Sequence, residues 1–140
     1  ECVVASVRDD EAYVDKLIDN WMQREAKGYL TRRVRELSEI TGWHVRKISF
    51  RRQSTIWGSC SSQKNLNLNL QLIQIAHPAA DYVLIHELAH TVEMNHSRAF
   101  WALVRQHCPD YSSHKRALHM AHKEILLESG LRSRVDRFVN

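Results

Sequence analysis

The sequence predicts an α+β domain with a small, mainly antiparallel three-stranded sheet, on three observations. Apolar residues keep helical spacing from about residue 9 to residue 41, three short strand-like segments follow between residues 43 and 70, and helical periodicity returns from residue 78 onward. No repeat, low-complexity tract or linker interrupts the 140 residues, so one domain over 1–140 is expected.

The first helix is read from Val14, Leu17, Ile18, Trp21, Tyr29, Leu30, Val34, Leu37 and Ile40, with Asp9, Asp10 and Glu11 suited to its positive end and Thr41-Gly42 closing it. Residues 3–7, Val-Val-Ala-Ser-Val, read as the frayed end of a strand. Residues 43–52 form the first complete strand. Trp43 and Val45 share one phase and Ile48 and Phe50 the other, which predicts a bulge near Arg46-Lys47. Strands over 54–59 and 66–70 follow, joined by a turn over 61–65. The last alternates Leu66, Leu68 and Leu70 inward with Asn67 and Asn69 outward. Pro78 suits the first turn of the next helix and Asp81 its dipole. A helix from Arg98 to His107, stopped by Pro109, and one over 113–128 ending at Gly130 complete the chain. Leu118, Ala121, Ile125 and Leu126 form the buried side of the last.

Composition sets outer bounds. Hydrophobic residues at 44% and charged residues at 26% are ordinary for a globular chain, and no apolar run approaches the roughly 18 residues of a membrane span. Three scattered cysteines argue against a disulfide framework, and with no signal peptide a cytoplasmic location is expected. The chain opens on Glu1 and reads as a processed or excised piece, which leaves an N-terminal targeting segment open. The net charge of +4 is a mild bias toward phosphate-bearing partners.

The chemistry lies in His86-Glu87-Leu88-Ala89-His90. Positions four apart on a helix lie one turn above each other, so His86 and His90 present two imidazoles to one point with Glu87 beside them. This is the H-E-x-x-H zinc pattern, in which the Glu acts as general base on a metal-bound water. With nine His and nine Glu in the chain, about 0.04 chance occurrences are expected. The apolar run Tyr82–Ile85 and Leu88-Ala89 makes the helix a buried one, where a pair of imidazoles needs partners. His96, with five residues between it and His90, supplies a third ligand and leaves one position for water. Asn95 is the candidate for a left-handed turn that swings His96 back, and Ser97 for the cap of the following helix. Glu93 is either a second partner for a ligand imidazole or simply exposed. His119 and His122 lack a third ligand and read as surface residues, and Cys60 as a structural thiol.

Trp57-Gly58-Ser59-Cys60-Ser61-Ser62, Asn67-Leu68-Asn69, Tyr82-Val83, His86-Glu87-Leu88-Ala89-His90, Asn95-His96-Ser97, Phe100-Trp101 and Pro109-Asp110-Tyr111, in this order and spacing, resemble the YgjP-like metallopeptidase-domain family. The resemblance covers about residues 43 to 120. It implies a minimal zincin fold related to SprT-like and WLM domains, which the helices read above would complete with a long N-terminal helix, the HELAH zinc helix and two C-terminal helices. It also implies Zn2+ on His86, His90 and His96 and Glu87 as catalytic base.

Two further expectations follow from it. A sheet edge at Ile56-Trp57-Gly58-Ser59 is to bind an extended peptide substrate, Gly58 allowing close backbone approach and Trp57 offering either an apolar wall or core packing. The leading expectation is thus a zinc-dependent metallopeptidase acting on a peptide or protein. The alternatives are a nucleoside triphosphate (UTP-type) pyrophosphatase using the same metal, with Arg46, Lys47, Arg51, Arg52, Lys64 and Arg98 as cationic clamps, and a nucleic-acid-associated, SprT-like protease using the basic segment Arg32 to Arg52. Oligomeric state is not legible in the sequence.

Overall fold

The computed structural model describes residues 2–52 and 55–129, with side chains described over 10–52 and 55–124. The chain runs α1 (Cys2–Thr41), β1 (Lys47–Arg51), β2 (Gly58–Cys60), β3 (Asn65–Asn69), a 3₁₀ turn (Leu70–Gln74), α2 (His77–Ala89), α3 (Arg98–His107) and α4 (Tyr111–Ser129). The architecture is α+β, as expected.

The sheet is mixed. Its order is β1-β3-β2, with β1 parallel to β3 and β2 antiparallel to it. A tight turn joins β2 to β3, where Lys64 takes a positive φ of 65° and its N–H donates to Ser61 O. That hairpin inserts β3 between the first two strands, so β3 runs against β2 and therefore along β1. Ile48 pairs with Leu66 and Phe50 with Leu68, while Gly58 pairs with Leu68 and Cys60 with Leu66. All six share the face turned to the helices.

α2 lies at the centre and is buried nearly all round: Ala79, Ala80, Tyr82, Val83, Leu84, Ile85, Glu87, Leu88 and Ala89 are all inside. Such a helix needs cover on several sides. The sheet supplies Leu66 and Leu68, α1 supplies Leu30 and Val34, and α3 supplies Phe100 and Val104. A bidentate ion pair ties α1 to α2, Arg33 Nε donating to Asp81 Oδ1 and a second guanidinium nitrogen to Oδ2, both at 2.8 Å. Asp81 thus holds Arg33 as well as sitting in the helix's first turns. α1 ends where Gly42, with φ of 77°, donates its N–H to Ser38 O. This is the left-handed closure that glycine adopts without strain.

Several expectations are corrected. Residues 3–7 are helical, because β-branched residues cost under about 1 kcal/mol each in a helix and the turn periodicity simply continues through them. Val14, Leu17, Ile18, Trp21 and Ile40 do not join the core. From residue 10 to residue 25 α1 is exposed on nearly every side, only Asp19 and Gln23 being partly covered, so Tyr13, Val14, Leu17, Ile18, Trp21 and Met22 lie ahead of the point where Ala26, Leu30, Val34 and Leu37 meet the core. No bulge occurs at Arg46-Lys47. The strand begins at Lys47, and Trp43 is buried ahead of it, edge-on to His107 at 4.9 Å. Asn69 faces inward: its Oδ1 accepts from Gln71 N at 2.9 Å, capping the 3₁₀ turn, and its Nδ2 donates to Ile56 O. Gly130 lies outside the described residues, as do the side chains of Ile125 and Leu126.

Candidate metal centre

His86 and Glu87 stand in the last turn of α2, and His90 is its C-cap residue. The chain then leaves the helix through tight turns, with His90 N–H donating to Glu87 O, Thr91 N–H to Leu88 O, and both Val92 and Glu93 N–H to Ala89 O. Lys64 is the only non-glycine residue with positive φ among the described residues, so Asn95 is not left-handed. The reversal is spread over these turns and needs no strained residue. Ser97 behaves as expected, its Oγ accepting from Phe100 N at 3.3 Å to cap α3. His96, just before the cap, is thereby returned to α2.

The three histidines meet. Their ring nitrogens lie within 4.8 Å of one another, and His96 Nε2 is 3.2 Å from His86 Nε2. Two imidazoles sharing a tetrahedral ion at Zn–N distances of roughly 2.0–2.1 Å hold their nitrogens about 3.3–3.4 Å apart, so the separation suits an ion between them. The backs of the rings are held as ligands require. His90 Nδ1 donates to the backbone carbonyl of Glu93 at 3.0 Å, leaving Nε2 as the free lone pair, and Tyr82 Oη is 3.5 Å from His86 Nδ1. Glu93 therefore acts through its main chain.

Phe100 is the floor of this cluster. Fully buried, it stacks on His90 at 4.5 Å and meets the edges of His86 and His96 at 4.9 Å each. Trp101 stacks on His96 at 5.9 Å and Tyr111 on Trp101 at 5.1 Å. Burial and the neighbouring rings oppose protonation of all three imidazoles. Desolvation, with His90, His96 and Lys115, lowers His86 to about 3, and desolvation also lowers His90 and His96. Rings kept neutral keep their lone pairs for a cation.

Glu87 is 8% exposed, and burial raises its carboxyl to about 7. A carboxyl near neutrality can both take and return a proton at physiological pH. The backbone of Gly58 packs against it: a Cβ on Gly58 would lie 3.2 Å from Glu87 Cγ. β2 is an edge strand of the sheet, with Ser59 exposed. Trp57 is 4% exposed and packs edge-on to His122 at 5.9 Å, which matches the core-packing alternative. His122 is likewise buried and not a surface residue, because α4 lays it against Trp57. The thiol of Cys60 is pushed up to about 11 by burial and by the nearby Glu87. Of the cations weighed as phosphate clamps, Lys47 and Arg51 sit on β1, the sheet edge opposite β2, and Arg52 pairs with Asp19.

Sequence reasoning gave no roles to Phe100, Trp101, Tyr82 or Lys115. Only the order Ser97, Phe100, Trp101 after the third histidine hinted that α3 would turn its first aromatics onto the metal ligands.

A centre of this kind, set beside the edge strand of a small mixed sheet, defines a metallopeptidase of zincin-like fold. The particular family follows: the chain belongs to the YgjP-like metallopeptidase-domain family, whose model matches residues 2–121. Among solved structures it is similar in fold to the metallopeptidase zymogen abylysin of Pyrococcus abyssi, with a TM-score of 0.59 and 20% identity over 65% of this chain and 92% of that one. No curated protein matches the sequence. Among the described residues, no helix is long and apolar enough to cross a membrane.

Proposed function

We propose that the protein is a zinc-dependent metallopeptidase that hydrolyses peptide bonds, with His86, His90 and His96 as the metal ligands and Glu87 as general base. The observation that carries this is the convergence of three neutral imidazoles within 4.8 Å, next to a desolvated carboxylate. Three imidazoles with no fourth protein ligand among the described residues are the donor set of a catalytic zinc rather than a structural one. Bound there, zinc would polarise the scissile carbonyl and acidify water.

The protein's own groups do the rest. An extended peptide adds to the open edge of β2, where Gly58 lets its backbone approach and Ser59 faces outward, while Trp57 holds the strand from behind. Glu87 takes a proton from the attacking water, and buried beside Gly58 it stays poised at the strand where the carbonyl would lie. It then returns that proton to the departing amine. Phe100 keeps the ligand rings in register and excludes water beneath them.

Metal analysis with a peptide panel tests this. One zinc per chain is expected, lost in His86→Ala, His90→Ala and His96→Ala. Glu87→Gln should keep the metal and lose turnover. A zinc-loaded Glu87→Gln form with full activity would refute the mechanism.

A further inference from the structure

We propose that the uncovered end of α1 is a dimer interface, on which the same stretch of a second copy of this chain packs antiparallel. The inference goes beyond the metallopeptidase reading and does not depend on it.

From residue 10 to residue 25, α1 runs for about 24 Å with almost no cover from the rest of the chain. Helices in proteins owe most of their stability to packing an apolar face, and a lone helix of this length is marginal in water. This stretch has such a face. Val14, Leu17, Ile18 and Trp21 fall within an arc of about 100°, with Tyr13 and Met22 at its flanks. All six are 50–64% exposed. Asp19 and Gln23, the two partly covered positions, lie outside the arc, where Asp19 pairs with Arg52. The apolar face is therefore open to a neighbour.

The order of residues along it selects a second copy. A two-fold axis between residues 17 and 18 carries 13 onto 22, 14 onto 21 and 17 onto 18, so every apolar position meets an apolar position. That is the self-complementarity an isologous contact requires. The same operation sets Asp10 and Glu11 of one copy beside Arg24 of the other, at both ends of the contact. Glu25, next to Arg24, weakens this pairing without reversing the preference, because in a parallel pair every charge would face its own copy. The size also suits a dimer. With about half of each surface open, six large side chains offer on the order of 600 Å² per chain, near the roughly 800 Å² per partner of a standard interface.

Sedimentation equilibrium on the 140-residue chain tests this. A reversible dimer is expected at micromolar concentration. Ile18→Lys sets two ammonium groups against the apolar centre of the contact, and should weaken the dimer at least about 100-fold. Because Ile18 is exposed in the single chain, the variant should retain the dispersed methyl NMR resonances of a packed core. Arg24→Glu should weaken the dimer by about three- to tenfold, and Asp10→Lys combined with Arg24→Glu should restore most of the loss. A chain that stays monomeric up to about 100 µM would overturn the proposal, as would a dimer that Ile18→Lys leaves equally tight. A dimer strengthened by Arg24→Glu alone would overturn the antiparallel arrangement. Should Ile18→Lys lose the core resonances, the charge exchange between positions 10 and 24 decides by itself: failure of the double variant to recover the loss rejects the pairing.

Discussion

Glu87→Gln in the metal-free protein isolates what burial of the carboxyl costs the fold. Its pKa is raised by desolvation from 4.5 to about 7. Between those values the folded chain binds more protons at this group than the unfolded chain. Stability from Glu87 is thus fully present below pH 4.5 and falls as pH rises through 7. At about 1.4 kcal/mol per pH unit the loss approaches about 3 kcal/mol. Glutamine has the same shape and no charge to desolvate. Chelator-treated Glu87→Gln should therefore exceed wild type by about 3 kcal/mol near pH 8, with the gap closing toward pH 4.5. Urea unfolding followed by circular dichroism across this range measures it. A gap independent of pH, or a wild type at least as stable near pH 8, would refute the assignment of the shift to burial.

Gly58→Ala places a methyl group 3.2 Å from Glu87 Cγ and 3.3 Å from Asn67 O and Leu68 Cδ2. About 1 kcal/mol of stability should be lost to overpacking, and peptide turnover should fall while zinc content holds. Phe100→Ala removes the fully buried floor of the ligand cluster, so a loss of about 3–5 kcal/mol in chemical denaturation should accompany weaker zinc retention against a chelator, with Phe100→Leu much milder. Asp81→Asn leaves the half-buried Arg33 guanidinium without its bidentate partner. A destabilisation of about 1 kcal/mol by urea titration, smaller in high salt, is expected.

The histidine cluster was legible because helical spacing is itself geometric: His86 and His90 needed no tertiary information to be placed together. His96 was legible by spacing, but not its path, since residues 90–93 reverse the chain through ordinary turns that carry no glycine or left-handed asparagine as a marker. Periodicity found α1 but misjudged its partners. An apolar stripe marks a face that burial would favour, not whether the fold covers it, and among the described residues the apolar side chains of α1 ahead of Ala26 stay exposed. The parallel β1–β3 pairing was hidden for a related reason: sequence order makes β1 and β2 look like neighbours, and only the insertion of β3 decides otherwise. Asn69 looked like an outward alternating residue because the strand ends there, at a cap that alternation does not describe. Lys115 and Trp101 come from separate helices, and nothing local links them.

The change from uncovered to covered apolar residues near residue 24 divides labour along a single rod. Ala26, Leu30, Val34 and Leu37 rivet one end to the machinery that orients Asp81 and α2, while Tyr13, Leu17 and Trp21 present a bare hydrocarbon strip to water at the other. Substitutions at the riveted end register as lost folding energy. Those on the bare strip register as altered solubility and self-adhesion, because contiguous exposed apolar surface drives association, and they leave the histidine cluster untouched.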